Sequence, residues 1–166
     1  MICNEESAER TVQRAAMSHC GLTLEKAFQN RAYGKRMWNR VKGLAIVRDA
    51  QDYPTMDSVE ALVRKHKPDI LIIDQLDKMN VSGNFQRDDL RLGEVYRKAR
   101  FMAKKHNLAL IAVSQADATA DGRTSLRFTQ MANSKIGKAA EADLIIGIGK
   151  ENTDTGDDNF LRYLHV

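Results

Sequence analysis

A chain of 166 residues has room for one domain with a real core, and 43% hydrophobic with 29% charged residues excludes a disordered or fibrous chain. Lys+Arg 26 against Asp+Glu 22 leaves +4, a mild excess that permits a nucleic-acid partner without requiring one. Cys3 and Cys20 are too few for a disulfide scaffold and, with His19, lack a zinc-ligand spacing, which points to a reduced cytosolic setting. No apolar stretch approaches the roughly 20 residues that span a bilayer, and no signal-peptide pattern opens the chain.

The elements follow in chain order. Met1 to Asn4 reads as the tail of a strand. Ser7 caps a helix with Glu9 in its first turn and Val12, Ala15, Ala16 and Met17 inward. Thr23 caps a second helix expected to run to about Lys42, kinked near Gly34. Leu44 to Val47 reads as a strand. Thr55 caps another helix, with Met56, Val59, Leu62 and Val63 on one face and Pro68 beyond its end.

Asp69-Ile-Leu-Ile-Ile-Asp74-Gln-Leu-Asp77 is the most informative run. Four consecutive apolar residues ending in an acid read as a buried parallel strand. After a loop holding Gly83, a long helix is expected from Asp88 to His106. Leu92, Val95, Ala99, Met102 and Ala103 form its stripe, and Arg97, Lys98, Arg100, Lys104 and Lys105 a solvated surface. Leu108 to Val113 is the next strand, ending in Ser114-Gln115. A polar segment runs from Ala116 to Glu141. Asp143 to Ile148 and Phe160 to His165 read as two further strands. Strands separated by helices imply right-handed crossovers, so the fold class is α/β, three-layered, with a mainly parallel sheet.

Glu5, Asp74 and Gln115 each sit just beyond an apolar strand, where α/β sheets bind ligands. Two acids and an amide at one sheet edge suit phosphoryl transfer. One carboxylate holds Mg²⁺, the other polarises the attacking water, and the amide senses the terminal phosphate. The plainer reading of each is a polar residue ending a buried strand.

Several segments resemble DnaB-type replicative helicases, whose motor domain is a RecA-like P-loop NTPase. Asn4-Glu-Glu-Ser-Ala-Glu-Arg10 resembles their acidic strand end and following helix. Leu71-Ile-Ile-Asp74-Gln-Leu76 is similar to their Walker B strand, and Glu94 to Lys105 to the helix after it. Ala112-Val-Ser-Gln115 resembles their Ser-Gln strand end. Ala140-Glu-Ala-Asp-Leu-Ile-Ile146 resembles their later acid-then-strand motif. The order is preserved over nearly the whole chain, and Asn133-Ser-Lys135 is most similar to phage-like members. The resemblance implies a single partial RecA-like domain over residues 1–166. Glu5 would be the catalytic carboxylate, with Glu6 as a less suitable competitor at a helix start. Asp74 would be the Mg²⁺-associated, nucleotide-binding acid, and Gln115 the phosphate-sensing amide. In the intact parent it implies ATP or another NTP, Mg²⁺, single-stranded DNA, a homo-hexamer, and a cytoplasmic setting in a bacterium or phage-infected host, with no membrane partner.

The chain departs from that pattern in one large respect. No Gly-x-x-x-x-Gly-Lys-Ser/Thr occurs; Gly34-Lys35, Gly137-Lys138 and Gly149-Lys150 lack the upstream glycine and the following hydroxyl. The family's trans-acting finger would lie past Val166. The expectation is therefore the middle of a helicase domain, inactive by itself because the phosphate cradle is lacking, with apolar sheet edges exposed.

Two loops leave the expected catalytic edge, Lys78 to Arg87 and Ala116 to Glu141. The second holds Arg123, Arg127, Lys135 and Lys138 among Ser, Thr and Asn, a composition suited to sequence-independent phosphate contact. Phe85 and Phe128 are the loop aromatics that suit base stacking. The plainer alternative is a mobile polar connection balanced by Asp117, Asp121 and Glu141. Competing with a helicase motor fragment are a nonenzymatic RecA-like binding module and a RecA- or RadA-type recombinase core.

Overall fold

A computed structural model describes residues 1–29, 32–33, 47–133, 135–151 and 161–166. A four-stranded sheet has the order β2-β1-β3-β4, from Ile2–Cys3 (β1), Arg48–Asp49 (β2), Ile70–Asp74 (β3) and Ala109–Val113 (β4). Every pairing is parallel, with Cys3 opposite both Asp49 and Asp74, and Asp74 opposite Val113. All four strands therefore end at one edge. The fold is α/β with a four-stranded parallel sheet, compatible with a three-layer arrangement.

Local chemistry explains where the helices begin and stop. Helix α1 (Ala8–Cys20) starts at Ser7, whose Oγ accepts from Arg10 N at 3.3 Å, and stops at Gly21, which adopts φ 62. That left-handed conformation suits glycine and lets its N–H reach the last-turn carbonyls. Helix α2 (Leu24–Gln29) is capped by Thr23, whose Oγ1 accepts from Lys26 N at 3.4 Å. The rest of the helix expected up to Lys42, with Gly34, lies outside the described residues apart from 32–33, as do 44–46 of the Leu44–Val47 strand. Helix α3 (Met56–His66) has Thr55 and Ser58 in a reciprocal capping box. Helix α4 spans Asp88–His106, as the apolar period predicts, with acids in its first turn and Lys104, Lys105 and His106 in its last.

Helices α3 and α4 pack on one face of the sheet. Alternation along β3 sends Leu71 and Ile73 to that face, where they join Ile2, Met56, Val59, Val63, Val95, Ala99 and Met102. Burying each of the Val, Leu, Ile and Met side chains among these stabilises the fold by about 1.5–3 kcal/mol. Tyr96 joins this core, which the α4 stripe alone did not suggest. On the opposite pleat Ile70, Ile111 and Val113 remain 57%, 50% and 39% exposed. Among the described residues β4 has one neighbour only, so it forms an edge.

Two expectations are corrected past residue 130. The polar segment 116–141 contains a short helix, α5 (Lys135–Ala140). The strand expected over Asp143–Ile148 is confined to Gly147–Gly149 (β5), which pairs antiparallel with Tyr163–His165 (β6) in a separate two-stranded sheet. Two glycines let β5 lie close against residues 123–126. A Cβ on Gly147 would stand 3.0 Å from the Leu126 Cβ, and one on Gly149 would overlap the Thr124 carbonyl. Lys150 N donates to Arg123 O at 3.1 Å beside them. Phe160, the start of the last predicted strand, lies outside the described residues.

Candidate functional site

The C-terminal edge of the parallel sheet gathers Glu5, Asp74 and Gln115. Glu5 lies in the bend after β1, Asp74 is the last residue of β3, and Gln115 follows β4 by two residues. Asn4 joins the first two strand ends: its N–H donates to Asp74 O at 2.5 Å and its side-chain amide to Gln75 O at 2.6 Å. The Asp74–Gln75 peptide is cis.

Three donors converge on one oxygen of Glu5. Its Oε1 accepts from Gln75 Nε2 at 2.7 Å, from Lys78 Nζ at 3.1 Å and from Gln115 Nε2 at 3.2 Å. Among the described residues no protein donor reaches Oε2. The Glu5 side chain is 41% exposed, so the free oxygen belongs to an open site. A carboxylate held by one oxygen and open at the other can orient and polarise a water molecule. Gln75 and Lys78 were not singled out by sequence reasoning. Their signal is that both occupy the turn directly after the strand-terminal acid.

Asp74 is the second carboxylate. Partial burial, then the charge of Glu5, raises its pKa above the ordinary carboxyl value, and Lys78 opposes the shift. An acid made harder to ionise gains from a nearby cation. No group of three or more His, Cys, Asp or Glu side chains among the described residues forms a metal cage. The donor set instead fits Mg²⁺, which commonly uses one or two carboxylates together with water and substrate phosphates. Glu6 turns away from this cluster and pairs with Arg14 at 2.8 Å and Arg10 at 3.7 Å on α1.

Directly behind the open cluster lies a buried one. Asp77, in the single turn Leu76–Lys78, accepts at Oδ1 from Tyr96 OH at 2.7 Å. Its Oδ2 accepts from Ser114 Oγ at 2.9 Å and from Lys138 Nζ at 2.6 Å. Lys138 also donates to Ser114 Oγ at 3.0 Å and Ala132 O at 2.7 Å, and its ammonium lies 5.6 Å from the Tyr96 ring centre. Burial and the adjacent Asp77 carboxylate push the Tyr96 phenol far above its usual range.

This geometry corrects the expectation that Lys138 contacts nucleic acid. The residue is 1% exposed and its three N–H donors are all used inside the protein. Arg123 and Arg127 are exposed, as expected; Arg123 Nε also donates to Thr119 O at 2.9 Å. Lys135 begins α5, and its side chain lies outside the described residues. Phe128, next to Arg127, is 53% exposed, whereas Phe85 packs against the core below Gly83.

The loop that carries these residues is stitched at its base. Ala132 N donates to Gln115 O at 2.9 Å, Asp117 N to Gln130 O at 2.7 Å, and Ala116 bridges Met131 antiparallel. Gln130 reaches across to Thr119 O at 2.8 Å, and its Oε1 accepts from Arg127 N at 2.8 Å. The base is thus an ordered platform that presents Arg127 and Phe128. No described helix is long and apolar enough to cross a membrane. No protein-family model matches this chain, and no curated protein matches it significantly.

Proposed function

We propose that this chain is part of the NTP-driven motor of a DnaB-type replicative helicase with a RecA-like core. The contact between Gln115 and Glu5 at 3.2 Å, beside Asp74, carries this reading. Residues 5, 74 and 115 come from three separate strand ends of one parallel sheet, the edge where α/β folds handle ligands. In this reading Glu5 polarises the attacking water through its open oxygen. Asp74 would hold Mg²⁺, which when bound would neutralise charge on the substrate phosphates. Gln115 donates its amide either to Glu5 or to a terminal phosphate, and Lys78 balances the paired acids. Arg123, Arg127 and Phe128 suit sequence-tolerant contact with single-stranded DNA, through phosphates and one stacked base. ATP, a homo-hexamer and a cytoplasmic setting are part of the same proposal.

The sequence holds no Gly-x-x-x-x-Gly-Lys-Ser/Thr cradle, so the 166-residue chain alone is expected to show no Mg²⁺-dependent hydrolysis above background. The test asks whether reading frame flanking residues 1–166 encodes that element, and uses the protein expressed with it. The extended protein should hydrolyse NTP, and Glu5→Gln or Asp74→Asn should abolish turnover. Hydrolysis by the extended protein that survives both substitutions would overturn the assignment.

One observation favours a second reading. Oε1 of Glu5 is fully occupied by Gln75, Lys78 and Gln115, an arrangement that also serves a nonenzymatic binding module. In that case the extended protein would bind single strands without turnover. A recombinase core would be distinguished by assembly into an extended filament in place of a closed ring.

A further inference from the structure

We infer that Lys138 is a positioning residue for the open cluster, holding the two strand-end turns that carry Gln75, Lys78 and Gln115 at a set separation. The inference deepens the motor reading of this site, but its readout needs no nucleotide, so the two can fail separately.

The argument rests on where the partners sit. Asp77 lies between Gln75 and Lys78, the two donors that follow β3. Ser114 is the residue before Gln115, the donor that follows β4. Lys138 binds both Asp77 Oδ2 and Ser114 Oγ, while Ser114 donates to the same Asp77 oxygen. A closed triangle of hydrogen bonds therefore spans the gap between the two turns. The third N–H of Lys138 goes to Ala132 O, and Ala132 N returns to Gln115 O. Both the side chain and the main chain next to Gln115 are thus tied to one ammonium.

A core that only needed filling would be served as well by apolar side chains. Replacing a buried ion pair by packed hydrophobes is often neutral for stability. What such a replacement loses is direction: hydrogen bonds fix the angle and register of their partners, and apolar contacts do not. Tyr96 donates to the other oxygen of Asp77, so both carboxylate oxygens are held.

The experiment uses the 166-residue chain, labelled with ¹⁵N, and compares wild type with Lys138→Met and Ser114→Ala. The readouts are the side-chain amide resonances of Gln75 and Gln115 and hydrogen exchange at the Ala132 and Asp117 N–H groups. In Lys138→Met, exchange at Ala132 should accelerate at least about fivefold more than at the β3–β4 core amides, the size expected for one lost hydrogen bond. Both glutamine resonances should move toward solvent-exposed positions. Ser114→Ala, which leaves the Lys138–Asp77 pair in place, should move Gln115 and leave Gln75 near its wild-type position. A merely structural lysine would accelerate all protected amides by one common factor and leave the glutamines unmoved, and that result overturns the inference. If Lys138→Met does not fold, Ser114→Ala decides alone: an unmoved Gln115 resonance overturns it, a selective shift supports it.

Discussion

The open cluster around Glu5 and the buried cluster around Lys138 share the same two stretches of chain, residues 74–78 and 114–115, yet are built on opposite terms. In the buried cluster Lys138 and Asp77 satisfy one another; Lys138 donates further to Ser114 Oγ and the Ala132 carbonyl, and Asp77 accepts further from Ser114 and Tyr96. In the open cluster partial burial, then the nearby Glu5 charge, raises the Asp74 pKa, and among the described residues no protein donor reaches the second Glu5 oxygen. The difference teaches how a fold can keep unfavourable charge at an exposed edge, beside turns that are hydrogen-bonded from behind. Tension at the edge is tolerable because the turns that carry it are tied down from behind.

The strongest way to break this comparison is to unpair the buried side. Lys138→Met leaves the Asp77 carboxylate buried without its cation and should cost about 3–5 kcal/mol, read as a lowered urea midpoint. Adding Asp77→Leu should recover much of that loss, because no unpaired charge then remains. A double variant as weak as the single one would show that the pair itself contributes net stability. Tyr96→Phe, which removes one hydrogen bond to the same carboxylate, should cost about 1.5–3 kcal/mol in the same measurement.

The open side should respond far less. Lys78→Ala removes an exposed ion pair, and its effect on the urea midpoint should stay within about 1 kcal/mol and shrink further in salt. A loss as large as that of Tyr96→Phe would place Glu5 in the structural core of the fold and sink its assignment as an open base.

The smallest effects are in pH dependence, and their signs separate the sites. Asp74 has a raised pKa through burial and Glu5, so its contribution favours the folded state below the ordinary 3.8 and is lost as pH rises through the raised value. Asp74→Asn should therefore be relatively more stable than wild type at pH 7 than at pH 3. Glu60 behaves oppositely. Lys105 at 2.8 Å and His106 at 3.0 Å hold it down to about 2, so its stabilisation is present above 4.5 and is lost as pH falls through about 2. Glu60→Gln should weaken the protein at pH 7 and match wild type near pH 2. Urea midpoints across this range check both; parallel curves for Asp74→Asn and wild type would remove the claim of tension at the edge.

Much of the scaffold was legible in the residues. The caps at Ser7, Thr23 and Thr55 and the span of α4 depend on contacts within one or two turns, so local pattern sufficed. The apolar run ending at Asp74 marked β3, and the strand–helix alternation implied the parallel sheet that places Glu5, Asp74 and Gln115 at one edge. These are properties of spacing and burial period, which one chain carries by itself.

The tertiary structure alone decided the rest. Lys138 looks like any loop cation until Asp77, 61 positions earlier, is brought within 2.6 Å of it. Asp143 to Ile148 has the composition of a sheet strand, but among the described residues only Gly147–Gly149 pairs, because a strand needs a neighbour and the partner described here is Tyr163–His165. Which oxygen of Glu5 is bound and which is open depends on Gln75, Lys78 and Gln115 arriving from two other strand ends. Hydrogen-bond partnership and burial belong to pairs of distant residues, so they exist only once the chain has folded.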